Sequence, residues 1–314
     1  MTTVSSNRVL WLMIAVILVI GAAAYVVYLV TTTATVQVRT TPVGVAVTVN
    51  GALAGTTSDS LLSVSVSPGP ISLTLSRAGY DTVVVDFTVG RGEVYELDQV
   101  MRPPGMVFVR GGRFEMGDDA GSISERPAHP VRLRSYYIDR TEVTVDAFRR
   151  YQAGYSPEYA GADMPATNIS WADADAYCRA KGKRLPTEAE WERACRGPHG
   201  RAYAYGDDYE VASARSGQKV SAGPAEVGTY LAGNAGAVDM TGNVWEWCSD
   251  WYGRDYYESS PVDDPKGPSR GRTRVLRGGA WFSNDSFSKC THRPGNIRSQ
   301  RDPSFGFRCA RDLD

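Results

Sequence analysis

Gly242-Asn243-Val244-Trp245-Glu246-Trp247-Cys248, with Asp239 just before it and Asp250-Trp251-Tyr252 just after, is the stretch whose reading decides the fold. Three of the chain's seven tryptophans fall between Trp245 and Trp251. Each buries a large apolar body while its N–H still needs an acceptor, so the density marks an aromatic core. Oxygen donors are interleaved with the rings: Asp239, Glu246 and the carbonyls of a Gly-containing turn. Such a set on a tight loop suits a hard cation such as calcium; the same acids can also serve only to cap turns.

Composition sets wide bounds. With 314 residues the chain can hold two domains and a sizeable core. A formal net charge of −1 gives no reason to expect a nucleic-acid partner. The sign is uneven, however. Lys266 to Arg311 holds eleven Lys or Arg against Asp285 and Asp302 alone, which reads either as a face for an anionic ligand or as solvated surface. Five cysteines allow two disulfides and a spare thiol, or no bridge at all, depending on the compartment.

Toward the N-terminus, Val9 to Val30 is an apolar run of 22 residues without a charge. At helical rise it spans roughly 33 Å, enough for a hydrocarbon core of about 30 Å and longer than a signal-peptide core. The run predicts one transmembrane anchor over 9–30. Arg8 abuts the short side and no base follows until Arg39. Residues 1–8 are accordingly expected to be a cytoplasmic tail, and everything after Thr31 to lie outside the cytoplasm of an inner or plasma membrane. That side permits disulfides.

Residues 31–103 read as a connector and a small all-β domain. Thr35-Val36-Gln37-Val38-Arg39 and Val45-Ala46-Val47-Thr48-Val49 alternate, and the latter runs into Asn50-Gly51, a strong hairpin signal. Further strands are expected over Leu61 to Val66, Ile71 to Leu75 and Thr82 to Val89, with a Pro68-Gly69-Pro70 turn. No cluster of acids, bases or nucleophiles occurs there. Arg102-Pro103-Pro104-Gly105 marks a boundary, because two prolines stop both strand and helix. Beyond it, strand-like segments cover Met106 to Met116 and Val131 to Ile138. Thr144 caps a helix through Tyr151. Ser170 to Asp173 and Thr187 to Glu190 have capping-box spacing and open helices that stop near Gly182 and Gly197. Trp171, Ala174 and Cys178 share one helical face, as do Trp191, Ala194 and Cys195, which points both cysteines inward. After Gly197 the chain is mostly turns between short strands.

The chain resembles two families. Phe108-Val109-Arg110-Gly111-Gly112-Arg113-Phe114-Glu115-Met116-Gly117, Glu142-Val143-Thr144, Ser170-Trp171, Arg184 to Glu192, the opening stretch, Arg277-Gly278-Gly279-Ala280-Trp281 and Gly306-Phe307-Arg308-Cys309 follow one another as in the sulfatase-modifying-factor family. That resemblance, over 104–314, implies an α+β formylglycine-generating-enzyme fold, a variant of the C-type-lectin-like fold with low regular secondary structure. Pro42-Val43-Gly44-Val45, Asn50-Gly51, Gly55-Thr56 and Gly79-Tyr80 resemble a PEGA domain, a small extracytoplasmic β-sandwich, although Val43 and Val45 replace its namesake Glu and Ala.

The resemblance carries chemical expectations. It implies nested disulfides, Cys178 with Cys309 and Cys195 with Cys290, leaving Cys248 as a buried inert thiol. It implies a structural calcium on Asp239, the carbonyls of Gly242 and Val244, and Glu246. The family's enzyme oxidises a substrate cysteine with copper(I) held by two thiolates in the segment after Arg-Gly-Gly; soft thiolates are natural ligands for that ion. Here Ala280 to Lys289 contains no cysteine. Ser283 falls at the first expected thiolate position, and the second has no clear equivalent. A serine hydroxyl cannot hold copper(I), so no catalytic residue is assigned and copper is not expected.

Other clusters read as structural. His129, His199 and His292 are scattered, Glu188, Glu190 and Glu192 mark a helix start, and Asp250 with Asp255 reads as solvated turns. Two functions from different classes follow. One is a membrane-anchored extracytoplasmic binding or scaffold protein for an unknown protein, peptide or glycan. Its ligand face would be Trp281, Ser283, Asn284, Asp285, Ser286, His292, Arg293 and Arg298, by analogy with family relatives that bind ligands there. The alternative is an active formylglycine-generating oxidase, or another metal-dependent enzyme, modifying sulfatase-type substrates.

Overall fold

Asn50 and Gly51 both adopt positive φ, 49° and 83°, and close the hairpin between β2 (Ala46–Val49) and β3 (Ala52–Thr56). In the computed structural model, which describes residues 14–22 and 33–313, this hairpin lies in the first of two compact units, divided at Pro104/Gly105. Its sheet has the order β3-β2-β5-β6, with β5 at Gly69–Ser76 and β6 at Val83–Val89. A second sheet has the order β4-β1-β7, with β1 at Ala34–Thr41, β4 at Leu62–Val66 and β7 at Val94–Val100. Alternation along β1 buries Val36 and Val38, while Val47, Leu73 and Leu75 are buried from the other sheet. β7 was not anticipated. Its outward residues are Val94, Glu96 and Asp98, and only the parallel pairing with β1 turns Tyr95 and Leu97 inward.

Residues 14–22 are helical. The remainder of the expected anchor, 9–13 and 23–30, lies outside the described residues, as does the tail 1–8. Among the described residues no helix is long and apolar enough to cross a membrane.

In the second unit each expected long strand is two short ones: β8 (Met106–Val109) and β9 (Gly112–Met116), then β10 (His129–Leu133) and β11 (Tyr136–Asp139). The breaks fall where the two corners meet. A Cβ on Gly111 would lie 2.5 Å from the Leu133 carbonyl oxygen, so only glycine fits. The helices open on their expected caps. Thr144 accepts the Ala147 N–H at the start of α1 (Val145–Tyr151). Complete capping boxes begin α2 (Trp171–Ala180) at Ser170/Asp173 and α3 (Glu188–Arg196) at Thr187/Glu190.

The central sheet of this unit has the order β14-β13-β12-β15, built from β12 (Trp245–Trp251), β13 (Thr273–Arg277), β14 (Gly295–Ile297) and β15 (Phe305–Gly306). A smaller sheet joins β16 (Ala310–Asp312) to β11 and β8. Aromatic clusters form the core: Trp191 packs with Phe114, Met240 and Tyr257, and Trp247 with Phe148, Tyr177 and Phe307. The indole N–H groups find acceptors, Trp247 on the Ile169 carbonyl and Trp171 on the Cys248 carbonyl.

Cys178 on α2 bonds Cys309, and Cys195 on α3 bonds Cys290, across 131 and 95 residues. Loops of that length make each bridge worth roughly 4–5 kcal/mol in the chain-entropy description. Replacing Cys195 and Cys290 together by Ala is expected to lower the urea stability of the full chain by about 2–5 kcal/mol. An unchanged midpoint would show that the bridge does not constrain the unfolded chain.

Candidate functional site

β13 ends in Gly278 and Gly279, at φ 92° and 83°, which fold the chain tightly back. A Cβ on Gly278 would meet the Trp191 ring at 3.1 Å, and one on Gly279 the Phe287 carbonyl at 3.0 Å. The segment returns through Trp281 and Ser283 into the one-turn helix α4 (Asp285–Ser288), capped by Asn284, whose Oδ1 accepts the Phe287 N–H at 3.1 Å.

This geometry rearranges the expected ligand face. Trp281 is buried; its N–H donates to the Val220 carbonyl at 2.8 Å and its ring meets Tyr159 edge-on. Ser283 is buried too, its hydroxyl accepting the Ala280 N–H at 2.9 Å. Arg293 lies in the core, held by Glu188 at 2.5 and 2.8 Å, so it offers nothing to a ligand. Asn284, Asp285 and Ser286 are exposed. Beside them stand two aromatics that sequence reasoning missed, Phe282 at 39% and Phe287 at 48% exposure. The Phe287 ring lies 4.9 Å from His292, and His292 lies 5.8 Å from Trp245. His292 Nδ1 is 3.4 Å from Glu125. Arg298 is exposed at the other end of the sheet, because the register places Trp251 against Arg274 there and Glu246 against Arg277 here.

A second hydroxyl, unanticipated, belongs to this segment. Ser288 is fully buried and its Oγ has no hydrogen-bond partner. The Cys248 thiol is also buried, and burial followed by the Asp250 charge pushes its pKa well up. With the other four cysteines bridged, the described residues hold no pair of free thiols, so the donors present do not fit copper(I).

The four expected calcium ligands lie close in sequence but are already partly engaged. Asp239, at φ 60°, accepts the N–H groups of Gly228 and Tyr230, one on each oxygen. Glu246 is gripped by Arg308 at 2.7 Å on each oxygen, and its Oε2 also accepts the Trp191 N–H at 2.7 Å. A carboxylate has about four lone-pair sites, so both acids retain acceptor capacity. Glu142, not singled out in the sequence, is a third buried carboxyl beside them. Asn243 donates to its Oε1 at 2.9 Å, while Oε2 is buried without a partner. Burial, and next the Asp239 charge, raise its pKa well above the usual carboxylate range. Among the described residues no three His, Cys, Asp or Glu side chains form a metal-binding group.

Two readings of the charged residues need correction. Glu188, Glu190 and Glu192 do more than begin a helix: they are buried and paired with Arg293 and Arg277, with Arg184, and with Arg196 and Arg277 respectively. Asp250 is no solvated turn. It is buried and accepts the Glu188 N–H at 2.9 Å, whereas Asp255 is exposed.

Comparison with known proteins places the chain. A profile described as "Sulfatase-modifying factor enzyme 1-like domain" matches residues 92–313, and a PEGA domain profile matches residues 33–104. The chain belongs to the sulfatase-modifying-factor family, with a PEGA domain ahead of the family domain. It is 35% identical over 285 residues to the formylglycine-generating enzyme of Streptomyces coelicolor, covering 67% of this chain and 90% of that protein. It is 37% identical over 239 residues to the serine/threonine-protein kinase pkn1 of Chlamydia caviae, but spans only 38% of the kinase. The Treponema denticola variable protein 1 structure, at 24% identity, superposes with a TM-score of 0.62 over 73% of this chain and 96% of that one, which shows the fold alone.

Two buried acids give stability opposite dependences on pH. Burial, and then the Glu188 charge, raise Asp250 from 3.8 to about 7. Between those values the folded chain holds a proton that the unfolded chain has lost, so stability falls as pH rises. Glu125 is lowered from 4.5 to about 2: burial opposes this, and the His292 and Ser122 contacts outweigh it. Its contribution is full above pH 4.5 and lost as pH falls toward 2. Asp250→Asn is expected to remove a decline of a few kcal/mol in urea stability between pH 4 and 7. Glu125→Gln should weaken the fold at pH 6 but not at pH 2. A wild-type slope retained in Asp250→Asn would assign the decline to other groups.

Proposed function

We propose that this chain is a membrane-anchored, extracytoplasmic binding module on the formylglycine-generating-enzyme fold, without copper-thiolate oxidase chemistry. The observation that carries the reading is the donor set after the Arg-Gly-Gly turn. Buried hydroxyls of Ser283 and Ser288 stand there, the only free thiol is the buried Cys248, and the remaining cysteines are bridged. Hydroxyls at neutral pH are poor partners for a soft monovalent metal. Phe282, Phe287 and His292 around the polar tip Asn284-Asp285-Ser286 suit a peptide or glycan, with aromatic surface for affinity and short polar groups for orientation. A relative named as a kinase carries the same family domain, which agrees with a role apart from cysteine oxidation.

The location rests on two supports. The apolar run Val9 to Val30 is long enough to span a bilayer. The two disulfides suit an oxidising compartment, which supports the outer side. The PEGA domain then serves as a spacer or a protein-docking element. Calcium is the metal this reading retains. Asp239, Glu246 and the carbonyls of Gly242 and Val244 would hold it, and it would offset the charge that the two buried carboxylates bring into the interior.

Incubation of the full chain, in neutral detergent, with copper(I) and a cysteine-containing sulfatase-type peptide is expected to give no aldehyde product by mass spectrometry. Turnover above the copper-only blank would overturn the binding reading. For the metal, calcium at 100 times its dissociation constant should stabilise the fold by about 2.7 kcal/mol, seen as a chelator-reversible rise in Tm that Asp239→Ala abolishes. A Tm indifferent to both calcium and chelator would remove calcium from the protein.

A further inference from the structure

Beyond the segment 280–292, the opposite end of the central sheet gathers three arginines, Arg272, Arg274 and Arg298, none of which forms an ion pair among the described residues. β13 and β14 pair antiparallel with Thr273 opposite Ile297 and Arg274 opposite Asn296. The pairing ends at Thr273 and Ile297: Arg272 lies at a bend just before it and Arg298 opens a turn just after it, with the Gln300 N–H on the Ile297 carbonyl, so both flank the end of the strand pair that carries Arg274. Like charges gathered at one end of a sheet repel one another unless something neutralises them. Among the described residues, neither Arg272 nor Arg298 makes an ion pair.

The third arginine is fixed in place. The Arg274 guanidinium lies between the rings of Trp171 and Trp251, at 3.8 and 3.5 Å from their centroids, and one of its nitrogens donates to the Ser249 carbonyl. Its Nε is buried without a partner. Stacking orients the flat guanidinium without discharging it. The surrounding backbone is tight as well. Gly271 presses against Trp251, where a Cβ would lie 2.9 Å from the Trp251 Cβ, and the Trp171 backbone N–H donates to the Arg298 carbonyl at 3.1 Å. Both contacts draw Arg272 and Arg298 toward the Trp–Arg–Trp stack.

The nearby acids are already committed. Asp173 is paired with Arg301 at 2.6 Å and Asp175 with Arg179 at 3.0 Å. Asp250 is buried and takes the Glu188 N–H and the Ser249 hydroxyl. Positive charge still outweighs negative here, and Arg274 reflects this: burial and then the Arg298 charge push it down to about 10, against the opposing pull of Asp250 and Asp175.

We propose that Arg272, Arg274 and Arg298 form a site for the phosphate group of a phosphorylated ligand, independent of the face around Phe282 and Phe287. Arg272 and Arg274 are alternate positions, about 7 Å apart along the chain, and Arg298 directly follows the residue paired with Thr273. Guanidinium forks at those separations approach a tetrahedral dianion from several sides, whereas a planar carboxylate is satisfied by one. The stacked Arg274 forms the fixed floor, and Arg272 and Arg298 are the solvent-facing arms.

The test uses the full chain in neutral detergent with tripolyphosphate as the probe, at constant ionic strength. Binding is followed by calorimetry and by the fluorescence of Trp171 and Trp251. Saturable binding is expected, weakened at least tenfold by Arg272→Gln and by Arg298→Gln, and unchanged by Arg91→Gln in the PEGA unit. A second readout separates binding from a structural role. Without ligand, Arg298→Gln should raise Tm by relieving its repulsion of Arg274, and it should abolish the rise in Tm that tripolyphosphate gives the wild type. Doping the micelles with phosphatidylglycerol distinguishes the phosphate's source. Displacement of tripolyphosphate assigns the site to a lipid headgroup; its retention assigns the site to a soluble ligand. Equal binding by wild type, Arg272→Gln and Arg298→Gln, or no binding beyond that of chloride, would overturn the proposal, as would a fall in Tm for Arg298→Gln.

Discussion

Buried guanidinium–carboxylate pairing is the constraint on which the second unit depends. Arg277, Arg293 and Arg308 are at most 1% exposed, and each meets a buried glutamate: Glu192 and Glu188 for Arg277, Glu188 for Arg293, Glu246 for Arg308. Removing one member of such a pair strands a charge in the interior, which costs about 3–5 kcal/mol. The pairs join α3 to β13 and to the chain after Cys290, while Arg308 ties the last residues to β12. A fold with so little regular secondary structure has few backbone ladders to hold its loops. Charged pairs, two disulfides and indole N–H bonds perform that task.

The same lattice explains why the segment after the Arg-Gly-Gly turn is rigid. Arg277 immediately precedes the two positive-φ glycines, and its guanidinium also donates to the Cys290 and His292 carbonyls. Both ends of the segment 278–292 are thus fastened to one buried side chain. What projects from it, Phe282, Asn284, Asp285, Ser286 and Phe287, is a short tip on a stiff base. A family can keep such a base while changing the chemistry of the tip, which is why membership of the family and possession of its activity are separate questions.

Much of the architecture was legible because its signals are local. Asn50-Gly51 can take two successive positive-φ residues, so the hairpin was readable from two letters. Ser170 and Thr187 announced their helices because a cap and its N3 acid lie within one turn. β7 was missed because acids occupy its solvent face and its parallel partner β1 lies some sixty residues earlier. Of the expected ligand face, Asn284, Asp285, Ser286 and Arg298 are exposed, whereas Trp281, Ser283 and Arg293 are buried; Phe282, Phe287 and Ser288 were overlooked. Residue type suggested exposure for an arginine and burial for a phenylalanine, and the tertiary fold reversed both.

The sequence by itself determined the family, the boundary near Pro104, the helix caps and the lack of thiols after Arg-Gly-Gly, since each is written in adjacent or regularly spaced residues. Only the tertiary structure decided which charges are interior. Arg277, Arg293 and Arg308 look no different in sequence from Arg272 and Arg298. The first three meet glutamates from α3 and β12, 62 to 105 residues away, and are drawn inside. The other two form no ion pair among the described residues and stay exposed. The physical reason is that a charge's environment depends on its partner across the fold, and nothing in its own neighbourhood along the chain records that partner.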